Sequence, residues 1–238
     1  MIELTNLTVR FGGVVALDAV SASFSRPING IIGPNGAGKT TLMNVISGFL
    51  PCTGAIAWNG EEIGGMSAHA RTRWGLRRSF QREQIADDLT VLENLQVILD
   101  VVPGGRVEKR ADLERALEMT GLAAQAGTLA GTLNTYERRL ADIARCLVGK
   151  PKIVMFDEPG GGLTREEAGH LGDLILKVPN ATGATTLVID HDVDLISRIC
   201  AETLVLDFGK RIAFGETRAV LADPRVKAAY LGIEEVEE

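Results

Sequence analysis

Cysteine is scarce in this sequence. Cys52, Cys146 and Cys200 are the three in 238 residues, far apart and with no CxxC pair. That spacing argues against a zinc site or a disulfide framework and suits a reducing compartment. Long apolar runs are also missing. No stretch approaches the roughly 18 consecutive apolar residues of a membrane span, so the chain is expected not to cross a membrane by itself. The opening MIELTNLTVRF has Glu3 and polar residues where a signal peptide has a basic end and an apolar run, so none is expected. There is no excess of positive charge: 25 basic residues face 31 acidic ones, a net charge of −6. A sequence-independent nucleic-acid binder usually shows the opposite balance. Part of the acidity is the terminal Glu234, Glu235, Glu237 and Glu238, expected as a solvated tail. Internal repeats and low-complexity linkers are absent too.

What is present is ordinary globular material, 45% hydrophobic and 24% charged. One domain per roughly 150 residues gives one to two domains. A chain this long buries about 70–75% of its unfolded surface and needs no covalent or metal staple. Two strand-like segments, Ile2–Phe11 and Val14–Phe24, flank Gly12-Gly13. Ile31-Ile32 leads into a glycine-rich loop, and a helical stretch runs from Lys39 to about Phe49. Gly54–Trp58 and the turn Asn59-Gly60 predict a hairpin. Residues 91 to about 122 read as helical, broken at Pro103-Gly104-Gly105, and a further helix is predicted over Tyr136–Leu147. Strand runs return at Lys152–Phe156, Thr185–Ile189 and Thr203–Leu206, with a helical pattern expected after each. Alternation of this kind implies a mostly parallel sheet covered on both faces. The helical middle, about residues 83–150, reads as an inserted subdomain. The whole predicts a soluble, cytoplasmic α/β protein.

Gly33-Pro34-Asn35-Gly36-Ala37-Gly38-Lys39-Thr40 fits GxxxxGK[ST] without a mismatch, and Thr41 follows. Glycines let backbone N–H groups turn around an anion, and the helix behind aims its positive N-terminus at the phosphates. Lys39 is placed to reach the β- and γ-phosphates and the Thr40 hydroxyl to help hold Mg²⁺. Nucleotide binding is the reading. A second element supports it: the apolar run Ile153–Phe156 stops abruptly in Asp157-Glu158-Pro159. Ligands of open α/β sheets sit at the carboxyl ends of strands. Asp157 is placed to organise the Mg²⁺ shell, and Glu158 to orient or deprotonate an attacking water.

Together these motifs resemble the nucleotide-binding subunit of an ATP-binding cassette (ABC) transporter, over nearly the whole chain. The resemblance implies an α/β P-loop NTPase: a RecA-like core with N-terminal antiparallel strands (1–82 and 151–238) plus the helical subdomain, all one cassette. It implies that Phe11, in RFGGVVALDAVS, stacks on adenine. Gln81, in RRSFQRE, matches the glutamine that contacts Mg²⁺ or the attacking water and senses the membrane subunit. His191, in VIDHDVDLI, matches the histidine that contacts the γ-phosphate. His69 and His170 have no comparable placement. Arg71, Arg73, Arg77, Arg78 and Arg82 surround this stretch and read as a solvated basic face. Within the family, FGGVVALDAVS, TLMNVISGF, FQ…LTVLENL and DPRVKAAYLG are most similar to the ATPases of branched-chain amino-acid importers. Urea and amide importers use very similar ATPases.

The resemblance breaks at one segment. The family pattern LSGGQ, or LSYGE in this subfamily, is here Leu133-Asn134-Thr135-Tyr136-Glu137. In the family it contacts the γ-phosphate held by the opposite subunit of a dimer. Asn134 can still donate from its amide, whereas Tyr136 stands where glycine allows close backbone approach. Thr164, after Gly160-Gly161-Gly162-Leu163, replaces the usual Asp or Asn. The resemblance therefore implies an ATPase that binds ATP and Mg²⁺, sits peripherally on the cytoplasmic face of the inner membrane through permease subunits, and pairs with a second ATPase subunit. A heterodimer is favoured, because this chain's own loop can be completed by a partner's intact segment. The competing expectation is a regulatory subunit that binds nucleotide and hardly hydrolyses it; action on nucleic acid is not expected.

Overall fold

The computed structural model describes residues 1–231. The terminal glutamates Glu234, Glu235, Glu237 and Glu238 and the end of the DPRVKAAYLG stretch lie outside the described residues. The chain forms two compact units, Met1–Ala68 with Leu187 onward, and His69–Thr186.

In the first unit, β1 (Ile2–Phe11) and β2 (Val14–Phe24) pair antiparallel, with Phe11 opposite Val14 across the Gly12-Gly13 turn. Their inward residues include Leu4, Leu7 and Val9 on β1 and Leu17, Val20 and Phe24 on β2, all buried. β3 (Ile28–Ile32) is buried at every position, Asn29 among three isoleucines and a glycine, as suits a strand covered on both faces. It leads through the glycine-rich loop into α1 (Lys39–Ile46). β4 (Thr53–Trp58) joins the free side of β1, and Asn59-Gly60, both at positive φ (49° and 81°), turns it into β5 (Glu61–Glu62). The resulting sheet has the order β2-β1-β4-β5.

The second unit holds α2 (Ala68–Trp74, from its second residue), β6 (Leu76–Arg78), α3 (Val91–Val101), α4 (Arg106–Thr120), α5 (Thr135–Leu147), β7 (Ile153–Asp157) and α6 (Arg165–Thr182). Pro103-Gly104-Gly105 separates α3 from α4 as expected. Thr90, Asn134 and Thr164 each start a helix through a reciprocal capping box with the glutamate three residues on. β6 runs parallel to β7, whose five residues are all buried.

β8 (Thr185–Ile189) begins in the second unit and ends in the first. After it come α7 (Val193–Ile199), β9 (Glu202–Asp207), β10 (Lys210–Glu216), α8 (Thr217–Ala222) and α9 (Pro224–Leu231). Strand order is β10-β9-β3-β8 on one side and β8-β7-β6 on the other. β3 lies parallel to β9, and β10 antiparallel to it. β10 corrects the expectation of a helix straight after Thr203–Leu206. Phe208 and Gly209 take φ of 42° and 76°, a tight reversal that folds the chain back as a hairpin before the helical pattern starts. Cys146 and Cys200 are buried thiols and Cys52 is half-buried, all unpaired by disulfide.

Candidate functional site

The phosphate loop follows β3 directly. Gly36 takes φ 81° and Gly38 φ 100°, the left-handed region that glycine enters freely. A Cβ on Gly36 would meet nothing within 4 Å, so the loop's crest faces open space. A Cβ on Gly38 would stand 2.7 Å from the Ala16 carbonyl oxygen, so β2 packs directly on the backbone there. Ala37 is buried, and its carbonyl accepts from Gly209 N–H at 3.0 Å, tying the loop to the β9–β10 turn. Inside the loop, Ala37 N–H donates to the Pro34 carbonyl at 3.1 Å, and Asn35 is exposed. Lys39 is buried and arches back, its ammonium donating to the carbonyls of Gly33 (2.7 Å) and Pro34 (3.0 Å).

α1 starts without a side-chain cap and with no acidic residue in its first turn. The first N–H groups of a helix have no partner within it, so an uncapped start without acid favours an anion. Thr40 is exposed and Thr41 half-buried in that first turn.

Phe11 is half exposed, which excludes a role as a core strand residue. Its cross-strand partner Val14 lies two residues before Ala16, the residue packed on Gly38, so the ring sits at the end of β1 beside the strand that flanks the phosphate loop. His191 follows β8 with its side chain mostly exposed, 3.6 Å from the buried Asp190 carboxylate. Asp190 instead accepts Asp192 N–H at 3.0 Å, and Asp192 caps α7, which fixes the backbone on either side of His191.

In the second unit, β7 ends at Asp157, and Glu158 follows at φ 48°. A non-glycine residue in that region carries roughly 1–3 kcal/mol of strain, a cost typical of functional sites. The Gln81 side-chain amide donates to the Glu158 carboxylate at 2.9 Å, so these two expected site residues, 77 apart in sequence, meet. Asp157 is buried, and its Oδ2 accepts from Arg78 at 2.7 Å. The Asp157 N–H donates to the Ser79 hydroxyl at 3.3 Å.

Arg78 corrects the reading of a solvated basic face, and it is a residue that sequence reasoning missed. Its side chain is 4% exposed, paired with Asp157 and stacked 4.6 Å from the Phe80 ring. Arg71 is buried as well. Arg77 is buried and donates to the carbonyls of Val148 and Gly149; burial pulls its pKa down from the usual arginine value. Arg73 and Arg82 alone in the group are exposed. Nothing in the spacing of LRRSFQ separates these cases, because the partners lie some 70 to 80 residues away.

The segment that departs from the family pattern forms the start of α5. Asn134 Oδ1 accepts Glu137 N–H at 2.9 Å, and the Glu137 carboxylate accepts Asn134 N–H at 3.0 Å. The Asn134 side chain thus spends its oxygen on the helix and keeps its amide as donor. Tyr136 is half-buried, and partial burial together with the nearby Glu167 carboxylate raises its pKa. Thr164 caps α6 through its hydroxyl, which accepts Glu167 N–H at 3.3 Å.

Mg²⁺ takes hard oxygen donors, and each unit, taken by itself, offers one. Thr40 offers a hydroxyl in the first turn of α1, and Asp157 retains a carboxylate oxygen beyond the one that Arg78 binds. No cluster of three or more His, Cys, Asp or Glu able to hold a metal occurs among the described residues.

The ABC transporter family pattern matches residues 18–161. The chain is 36% identical to the high-affinity branched-chain amino acid transport ATP-binding protein BraF of Pseudomonas aeruginosa, over 98% of each chain. It is 34% identical to the corresponding protein LivG of Escherichia coli, again over 98% of each. The ADP conformation of MJ1267, an ATP-binding cassette of an ABC transporter, superposes with a TM-score of 0.84 at 31% identity, covering 98% of this chain and 99% of that one. The fold is therefore that of the P-loop NTPase cassettes, and the chain belongs to the ABC transporter family as an ATP-binding subunit.

Proposed function

We propose that this chain hydrolyses ATP to power an importer of branched-chain or related amino acids. The single observation that carries hydrolysis, rather than binding alone, is Glu158, which sits at a strained φ of 48° with the Gln81 amide on its carboxylate. The cargo class rests on the relatives' role in branched-chain amino acid transport.

In this reading the chain is a single cassette, with a core at 1–82 and 151–238 and a helical subdomain near 83–150. Phe11 stacks on the adenine. The backbone of Gly33, Pro34, Asn35, Gly36, Ala37 and Gly38, with Thr41, wraps the phosphates, and Lys39 exchanges its loop carbonyls for the β- and γ-phosphate oxygens. Thr40, Asp157 and Gln81 would hold Mg²⁺, which would neutralise charge on those oxygens. Glu158 accepts the proton of the attacking water as its oxygen bonds to the γ-phosphorus and the bond to ADP breaks, leaving ADP and phosphate. Lys39 and His191 stabilise the charge that develops on the transferring group.

Asn134 and Tyr136 face the ATP of a second subunit. Tyr136 occupies a place where backbone approach wants glycine, so the favoured partner is a different ATPase with that glycine intact. The pair works beneath transmembrane permease subunits at the cytoplasmic face of the membrane. No helix among the described residues is long and apolar enough to cross a membrane, which suits a peripheral subunit.

The test is steady-state phosphate release by the purified chain, with Glu158→Gln as blank and ATP binding measured separately. The substitution should cut turnover by about 10²–10⁴-fold with ATP still bound. ATP binding with no turnover above the blank, even when permease and the second ATPase subunit are added, would replace the ATPase reading with a regulatory one.

A further inference from the structure

The stretch after β6, from Phe80 to Gln84, has no regular secondary structure, so its backbone polar groups need partners from elsewhere. Three side chains of α5 supply them. Arg139, buried, donates to the carbonyls of Phe80 (3.2 Å) and Gln81 (3.3 Å) and pairs with Glu83 at 3.1 Å. Asp142, 1% exposed, accepts the Phe80 N–H and pairs with Arg145 at 3.2 Å. Arg145 in turn donates to the Gln84 carbonyl. Residues 139, 142 and 145 recur every three positions and so share one stripe of the helix. Gln81, held by its backbone in this way, directs its amide onto Glu158.

We infer that Arg139 is a positioning residue for hydrolysis: it fixes the height of the Gln81 backbone over α5, and thereby the reach of the Gln81 amide to Glu158. The inference rests on the ATPase reading above. One guanidinium bridging two successive carbonyls and a carboxylate is a task for the planar, multi-donor arginine head, and lysine cannot reproduce it. Asp142 supports the arrangement from the next turn. Burial raises its carboxyl to about 6 while Arg145 and Arg139 pull it down, so it is held by the same cluster that it stabilises. The helix whose start carries Asn134 and Tyr136 is therefore bolted to the loop that touches Glu158.

A double-mutant cycle with amide exchange tests this. Arg139→Met should lower kcat about tenfold or more with KM changed less than about twofold, since small misplacements near the chemistry cost rate before binding. In a Gln81→Ala background the same change should cost less than about twofold, because the group it positions is already gone. Arg139→Lys, which keeps the charge and the packing, should behave like Arg139→Met. Independently of turnover, hydrogen exchange of the peptide spanning 79–85 should quicken about tenfold in both Arg139 variants while the exchange of β7 stays unchanged. Equal losses in the two backgrounds, full activity in Arg139→Lys, or unaltered exchange at 79–85 would each overturn the inference. Wild-type turnover no higher than the Glu158→Gln blank would defeat the ATPase reading itself, and the exchange result would still report on the clamp.

Discussion

Two helix starts in this molecule do opposite things with the same backbone chemistry. α1 begins at Gly38, with no side-chain cap and no acid in its first turn. α5 begins at Asn134, closed by a capping box and carrying Glu137 in its first turn. Each helix presents N–H groups that no residue of its own helix can satisfy. At α1 these are left for a ligand, and the positive φ of the glycines keeps the approach clear. At α5 the chain satisfies part of the set itself, adds a negative charge, and plants Tyr136 beside what remains. A binding end of a helix and a structural end thus differ by a few side chains, and the cost of the first is borne by the surrounding packing. Gly38 is backed by the Ala16 carbonyl, and Ala37 is pinned by Gly209.

The contrast can be broken most sharply by giving α1 what α5 has. Gly38→Asp adds a cap, a negative charge and a Cβ that would stand 2.7 Å from the Ala16 oxygen. Strain of about 3 kcal/mol corresponds to a loss of about 100-fold in ATP affinity, measurable by calorimetry. The reverse exchange, Tyr136→Gly, should raise phosphate release by the chain alone about tenfold, because freed backbone donors can then approach a partner's phosphate. No rise would mean that Tyr136 is accommodated and that the case for a distinct partner subunit loses its ground. Gly36→Ala sharpens the same comparison. Its Cβ meets open space, so only the left-handed backbone is penalised, by about 1 kcal/mol or about fivefold in affinity. The smallest effect is at the structural end. Asn134→Ala should lower stability by about 1 kcal/mol, about 2–4 °C in melting temperature, and leave ATP binding by this chain's own loop unchanged.

The phosphate loop could be read from sequence because its function is local: nine consecutive residues and the strand before them define it. Asp157 and Glu158 were legible for a similar reason, an apolar run ending abruptly in two acids. Arg78 was not. Its meaning lies in a carboxylate 79 residues away, and a basic residue bound for burial looks in sequence like one bound for solvent. Arg139 was hidden in the same way, inside a helix that the sequence predicted but whose distant partners it did not show. β10 was missed because Phe208-Gly209 makes a reversal without the Asn-Gly signal that betrayed β5. Local chemistry is written in neighbouring letters, and pairing between distant buried charges is not.

The strand that carries the phosphate loop has a consequence for the protein's synthesis. β3 lies between β8 and β9, and its β9 edge is completed only when Asn29 meets Glu202 and Ile32 meets Val205. At roughly 5–20 residues per second, about 170 further residues take on the order of 10–35 s to emerge from the ribosome. Throughout that interval a strand bound for full burial and its glycine-rich loop wait without one of the strand's two neighbours. A chain cut short before β9 would therefore contain the complete nucleotide-binding motif and yet lack one edge of the sheet that supports it. The motif and the last strand that supports it are separated by most of the length of the molecule.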